Sequence, residues 1–175
     1  MPLLYQHGRE VTTRQIAEAA GVAEGTIFRV FDSKDDVIEA AVERAFEPSE
    51  LLARVGEIDP ELPLRERLVL VASIMQQRFR ATFGLMRAIG EFGPPRRAKP
   101  PEHVRVLEEV SHAMATLIER DAALLSVTPG MLIHMLRLLT FAGSNEQIAE
   151  GHVLTPDQIV DTLLHGVLTQ ESRES

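Results

Sequence analysis

Residues 11–42 read VTTRQIAEAAGVAEGTIFRVFDSKDDVIEAAV, two short helical patterns and a longer one with AGVAEG as the only soft joint. Thr12 stands where it can cap a helix carrying Ile16, Ala17 and Ala20, and Gln15 occupies the position that closes a capping box. Gly21 is placed to stop that helix. A second short helix is expected over residues 23–30. Ser33 caps a third, with Asp36 three residues on and two acidic residues suited to the positive end of a helix dipole; it is expected to continue toward Glu50. Two short helices about a glycine turn make either a helix-turn-helix, whose second helix can enter a DNA major groove, or an ordinary corner in a helical bundle.

The rest of the chain is helical in pattern as well. After a break at Pro60 and Pro63, residues Leu64, Leu68, Val71, Ala72, Met75, Phe79 and Phe83 fall at helical spacing, opposite Arg65, Arg67, Gln76, Arg78 and Arg80. Gly84 is expected to interrupt that helix, with a short one over residues 85–92. GPPRRAKPP, residues 93–101, excludes helix by its prolines. Residues 102–125 read as helix, and two further helices open on Thr128-Pro129 and on Thr155-Pro156 with Gln158. Strand signals are nearly missing, with one Tyr, no Trp and no alternating β-branched run. The expected fold is all-α, about nine helices, with a small helix-turn-helix head over residues 1–47 and a larger helical body over residues 48–175.

Composition narrows the function. With 175 residues, 45% of them hydrophobic, the chain can bury a core. Without cysteine there is no disulfide framework, thiolate metal site or thiol nucleophile. A formal charge of −8 argues against binding nucleic acid through bulk positive charge, so any such contact must come from a local surface. The first residues lack a basic segment followed by a long apolar run, and no apolar stretch reaches the length of a membrane span; a cytoplasmic protein without a membrane partner is expected. No two of the six histidines are four apart, and no nucleophile elbow or phosphate-binding glycine loop is present, so neither a metal, a cofactor nor an enzyme activity is expected.

The last two helices carry unusual apolar surface. Residues 131–141 leave only His134, Arg137 and Thr140 as a polar stripe, and Ile159, Val160, Leu163, Leu164, Val167 and Leu168 form a double apolar column. Such faces fit a subunit interface, with Met131, Leu139, Ile159, Val160, Leu163, Leu164 and Val167 as its candidates, or simply core.

The residues of the opening stretch decide between the two readings of its turn. TTRQIAEAAGVAEGTIFRVFDSKDDVIEAAV resembles the DNA-binding signature of TetR-family transcriptional repressors: a Thr-capped helix with Ile-Ala, a Gly-Val turn, Gly-Thr-aliphatic-aromatic on the recognition helix, then Phe and a Ser-Lys that opens the next helix. The resemblance covers about residues 8–42 and implies an all-helical homodimer. Two heads would read a palindromic operator in double-stranded DNA, and the body would bind a small effector and dimerise through its last two helices.

By that resemblance Thr13 and Arg14 are placed for phosphate or groove-edge contact. Glu24, Gly25 and Thr26 open the recognition helix, where bases would be read, with Phe28 and Arg29 on the same element. Lys34 would bind a phosphate beside the backbone N–H groups of the following helix. Ile16, Ala17, Val22, Ile27 and Phe31 would be scaffold. Phe28 stands where the family usually has Tyr, and Val30 where His is common, so two polar contacts are missing. Residues 1–34 hold four basic and four acidic side chains, no net charge. Only PLLYQHG precedes the motif where the family has about four helical turns, and a shortened chain is the expectation that follows.

The family's effector cavity lies in the body. Met75, Phe79, Phe83, Met86, Met114, Met135 and Leu138 are the candidate walls, with Phe92, Met131 and Phe141 beside them and His112, His134 or Arg137 as polar anchors. Met and Phe make adaptable apolar walls, though each residue also fits plain core. The function expected is a repressor released from DNA by a small apolar effector. The alternative is a DNA-independent helical dimer that binds a small molecule as a carrier or interaction module.

Overall fold

Pro2–His7 forms a first short helix, α1, and residues 8–10 a single 3₁₀ turn; α2 then spans Thr13–Ala20, α3 Glu24–Ile27, α4 Lys34–Ala45 and α5 Ser49–Gly56. The long helix α6 covers Leu64–Ile89, α7 Pro101–Leu117, α8 Pro129–Ser144 and α9 Pro156–Val167, with a 3₁₀ segment at residues 119–124. This computed structural model describes residues 2–45, 47–90 and 101–167, and within them the fold is all-α, with nine α-helices and no strand. Phe92, the segment 93–100, Leu168 and the side chain of Val167 lie outside the described residues.

The caps are as the sequence predicts. The Thr12 hydroxyl accepts from the Gln15 N–H while the Gln15 side chain accepts from the Thr12 N–H. Ser33 and Asp36 pair at the start of α4, Thr128 caps α8, and Thr155 with Gln158 closes a box on α9. Each cap satisfies N–H groups that the first helical turn leaves open.

Four expectations fail, each for a tertiary or local reason. α4 stops at Ala45 rather than continuing toward Glu50; Pro48 disfavours helix before it, and α5 begins afresh at Ser49. Gly84 does not break α6. A Cβ there would stand 3.5 Å from the Tyr5 ring, and the flanking Leu85 and Ile89 are buried, so packing overrides the weak helix propensity of glycine.

α7 ends at Leu117 rather than running to residue 125. Arg67 donates to the Leu117 carbonyl, the acceptor a continued helix would give to the Asp121 N–H; that N–H turns to the Ile118 carbonyl at 3.1 Å in the tighter 3₁₀ pattern. Arg67 and Gln76, read as a polar face, are 0% and 5% exposed. Arg67 also donates to the Leu62 carbonyl at 2.8 Å and to Asp121, and Gln76 donates to the Leu154 carbonyl at 2.7 Å. Buried polar groups persist where such partners exist.

The described chain falls into two compact units. The first joins residues 1–47 to α6 from Ala81 onward; the second joins residues 48–80 to the chain from α7 on. The head core is Leu4, Val11, Ile38, Val42, Leu85 and Ile89. The body core is larger and draws on α5 to α9, with Leu68, Val71, Ile118, Leu132, Leu136 and Ile159 among its fully buried members.

Candidate nucleic-acid interface

The head positions its candidate residues through two turns. Gly21 adopts φ +67°, a left-handed cap open to glycine at little cost, and its N–H reaches the Ala17 and Glu18 carbonyls. Val22 follows with its N–H on the Ala17 carbonyl at 3.0 Å, and the chain re-enters helix at Glu24. The recognition helix is shorter than the expected residues 23–30. It is α-helical only over Glu24–Ile27 and then winds through turns, with Arg29 and Val30 N–H groups on the Thr26 and Ile27 carbonyls. Thr26, Ile27, Phe28, Val30 and Phe31 are β-branched or aromatic, which prolong a helix poorly.

Ala17 and Ile27 are buried where the two helices of the motif meet, and Ile16 and Phe31 are half-buried. Val22, expected as scaffold, is instead 42% exposed. Arg14, Glu24, Gly25, Thr26, Phe28 and Arg29 are all exposed. A Cβ built at Gly25 would meet nothing within 4 Å. Nothing inside the chain therefore requires glycine there, although glycine inside a helix costs about 1 kcal/mol relative to alanine.

Two expected DNA-contacting side chains have partners inside the head. The Thr13 hydroxyl donates to the Glu24 carboxylate, tying the start of α2 to the start of α3. Lys34 Nζ donates to the Arg9 carbonyl at 2.8 Å, and Asp35 pairs with Arg9 at 3.2 Å. An ammonium carries three donors, so Lys34 retains two for another acceptor.

Sequence reasoning missed Gly8 and Tyr5. Gly8 sits at φ +55°, and a Cβ there would lie 2.2 Å from the Ala88 carbonyl oxygen. A glycine directly after a short apolar helix is a stop signal that could have marked it. The Tyr5 hydroxyl donates to the Ala81 carbonyl at 3.0 Å, a contact between distant residues that no local pattern encodes.

Residues 1–41 match the model of the family described as bacterial regulatory proteins, tetR family. Over these residues the chain is similar to the DNA-binding head of that family. The fold is similar to that of a TetR family protein from Vibrio parahaemolyticus, at TM-score 0.57 and 16% identity over 97% of this chain and 94% of that one. It is similar also to a TetR transcriptional regulator from Streptomyces coelicolor, at TM-score 0.54 and 20% identity with the same coverage. No curated protein sequence matches the chain.

In the body of this TetR-like chain the effector candidates do not all fall together. Met75 and Met114 are buried in the core, with Phe79 and Met135 packed against it and Leu138 53% exposed. Phe79 meets Phe141 edge to face, ring centres 5.3 Å apart. Phe83 and Met86 belong to the head unit. Among the interface candidates, Ile159, Val160 and Leu164 are buried within the single chain, Leu139 and Leu163 are half-buried, and Met131 is 49% exposed. Arg137 and His134 are hydrogen-bonded to each other on the outward side of α8. No described helix is long and apolar enough to cross a membrane.

Proposed function

We propose that the chain is a one-component repressor. Its paired heads bind a palindromic operator in double-stranded DNA, and a small apolar effector held in the body releases them. The observation that carries the reading is the glycine at position 25: it opens the recognition helix, and the fold itself does not require it. A small residue there lets backbone approach a phosphate or a base edge closely. The motif match over residues 1–41 supports the same reading.

Dimerisation is supported by an uncovered apolar face on α8. Met131, Leu138 and Phe141 are 49%, 53% and 42% exposed, and apolar patches left open on a helix commonly mark an association surface. Ile159, Val160 and Leu164 would serve that face from inside, by fixing α9 in the body core. The Met and Phe side chains of the body support an apolar effector. Its binding would favour a conformation in which the two heads no longer match successive major grooves, about 34–36 Å apart.

The test is fluorescence anisotropy of the full chain on DNA flanking its own gene, at two salt concentrations. A repressor binds selectively with a steep negative salt slope. A folded dimer with no salt-dependent binding would instead support the DNA-independent carrier, which the exposure of Phe28 and Val30 on the recognition element favours.

A further inference from the structure

Glu24 is an unlikely-looking side chain for the opening of a DNA-reading helix, since phosphates repel a carboxylate. The structure shows what holds it. The Thr13 hydroxyl, from the first residue of α2, donates to Glu24 Oε1, whereas Oε2 accepts nothing among the described residues. One oxygen is thereby fixed by the protein, and the other is left as an acceptor on an exposed residue.

We infer that Glu24 reads a cytosine in the major groove, with Thr13 as its positioning residue; the inference rests on the DNA-binding reading above. The chemistry selects the base. A carboxylate can only accept, and in the major groove donors are offered by the cytosine N4 amino group and the adenine N6 amino group. Adenine sets its N7 acceptor beside that amino group, so the carboxylate meets repulsion next to attraction. Cytosine has an acceptor on one side only, the O6 of its paired guanine, and its apolar C5–H on the other, whereas the adenine amino group is flanked by its own N7 and by the thymine O4. Guanine and thymine present O6, N7 and O4, all acceptors, and are rejected. The same carboxylate thus attracts one base and repels its competitors, which is how specificity is gained without added affinity.

Thr13 takes a role different from the phosphate contact expected of it. Its hydroxyl is committed to the carboxylate, and the hydrogen bond limits the rotamers of a flexible exposed side chain before DNA arrives. A preset acceptor loses less conformational freedom on binding.

The test is selection by the full chain from a library of randomised DNA duplexes, followed by competition titration with single-base-pair replacements. The wild-type chain is expected to enrich a cytosine at one position of each half-site, and replacing it should weaken binding by about tenfold. Glu24→Gln should lose that preference and move toward adenine, which a carboxamide can meet at both N6 and N7. Preferences at other positions and the salt slope should stay as they are, since Glu24 neutralises no phosphate. Thr13→Val should weaken the cytosine preference at an unchanged melting temperature, and Thr13→Ser should restore it. If Glu24→Gln keeps every base preference of the wild type, the inference is overturned while the repressor reading stands. If the wild-type chain selects no sequence at all, the repressor reading fails and the inference with it.

Discussion

In the body, a guanidinium is fully buried. Arg67 meets Asp121 and two backbone carbonyls, and Gln76, Thr140 and Ser144 are buried beside the same core. In the head, no described polar side chain is buried; Arg9, Thr13, Glu24 and Lys34 work at its rim. The six buried apolar residues of the head core face eighteen in the body core, counted among the described residues. Burying a charge costs several kcal/mol and is recovered only with full, well-placed partners, so the body's polar groups dictate one geometry. Exposed hydrogen bonds and ion pairs contribute little and exchange readily with water or a ligand. The head is therefore the less stable unit, and its polar groups are the ones able to change partners.

The comparison can be broken first at Arg67. Arg67→Met should cost about 3–5 kcal/mol, because it takes the donor from the Leu117 carbonyl and leaves Asp121 and the Leu62 carbonyl only the half-exposed Arg120. Urea unfolding would read this as a lowered midpoint, and an unchanged midpoint would remove the clamp from the account of the body. The opposite unit is tested at Gly8. Alanine there must take a positive φ and press its Cβ toward the Ala88 carbonyl, at a cost of about 1–3 kcal/mol. Hydrogen exchange should quicken at head amides such as those of Val11 and Ile38 and leave the body's α8 amides unaffected. Uniform quickening would mean that the two units do not open separately.

A smaller change sharpens the head's side of the contrast. Thr12→Ala removes half of the capping box on α2 and should cost about 1 kcal/mol. The smallest effect concerns an exposed cluster of the body. The Arg65 guanidinium holds the Asp161 carboxyl below its ordinary value through a paired hydrogen bond, with a lesser contribution from His165. A carboxyl with a depressed folded-state value adds stability above its unfolded value, near 3.8, and loses it as pH falls through the folded one. Asp161→Asn should flatten that acid-side slope slightly, as read by melting temperature between neutral pH and pH about 3. Because all these groups are exposed, a large change would contradict the distinction drawn between the two units.

The sequence was most legible where a structure needs only near neighbours. The Thr12–Gln15 and Thr155–Gln158 boxes, the Ser33 cap, the Gly21 turn and the prolines opening α8 and α9 all connect residues a few positions apart, and they appear as read. Misreadings cluster where distant residues meet. Gly84 stays helical because Tyr5 packs there, and Arg67 is buried because Asp121 and the Leu117 carbonyl receive it.

By itself, then, the sequence determined that the chain is helical, where most helices begin, and that residues 11–42 form a helix-turn-helix. Periodicity and capping are local, and each pattern carries its own physical cause. Only the tertiary structure decided that the end of α6 belongs to the head, that α7 closes at Leu117, and that Arg67 is core rather than surface. A charged residue on a helix carries no mark of whether a carboxylate and a carbonyl some fifty residues away will be there to receive it.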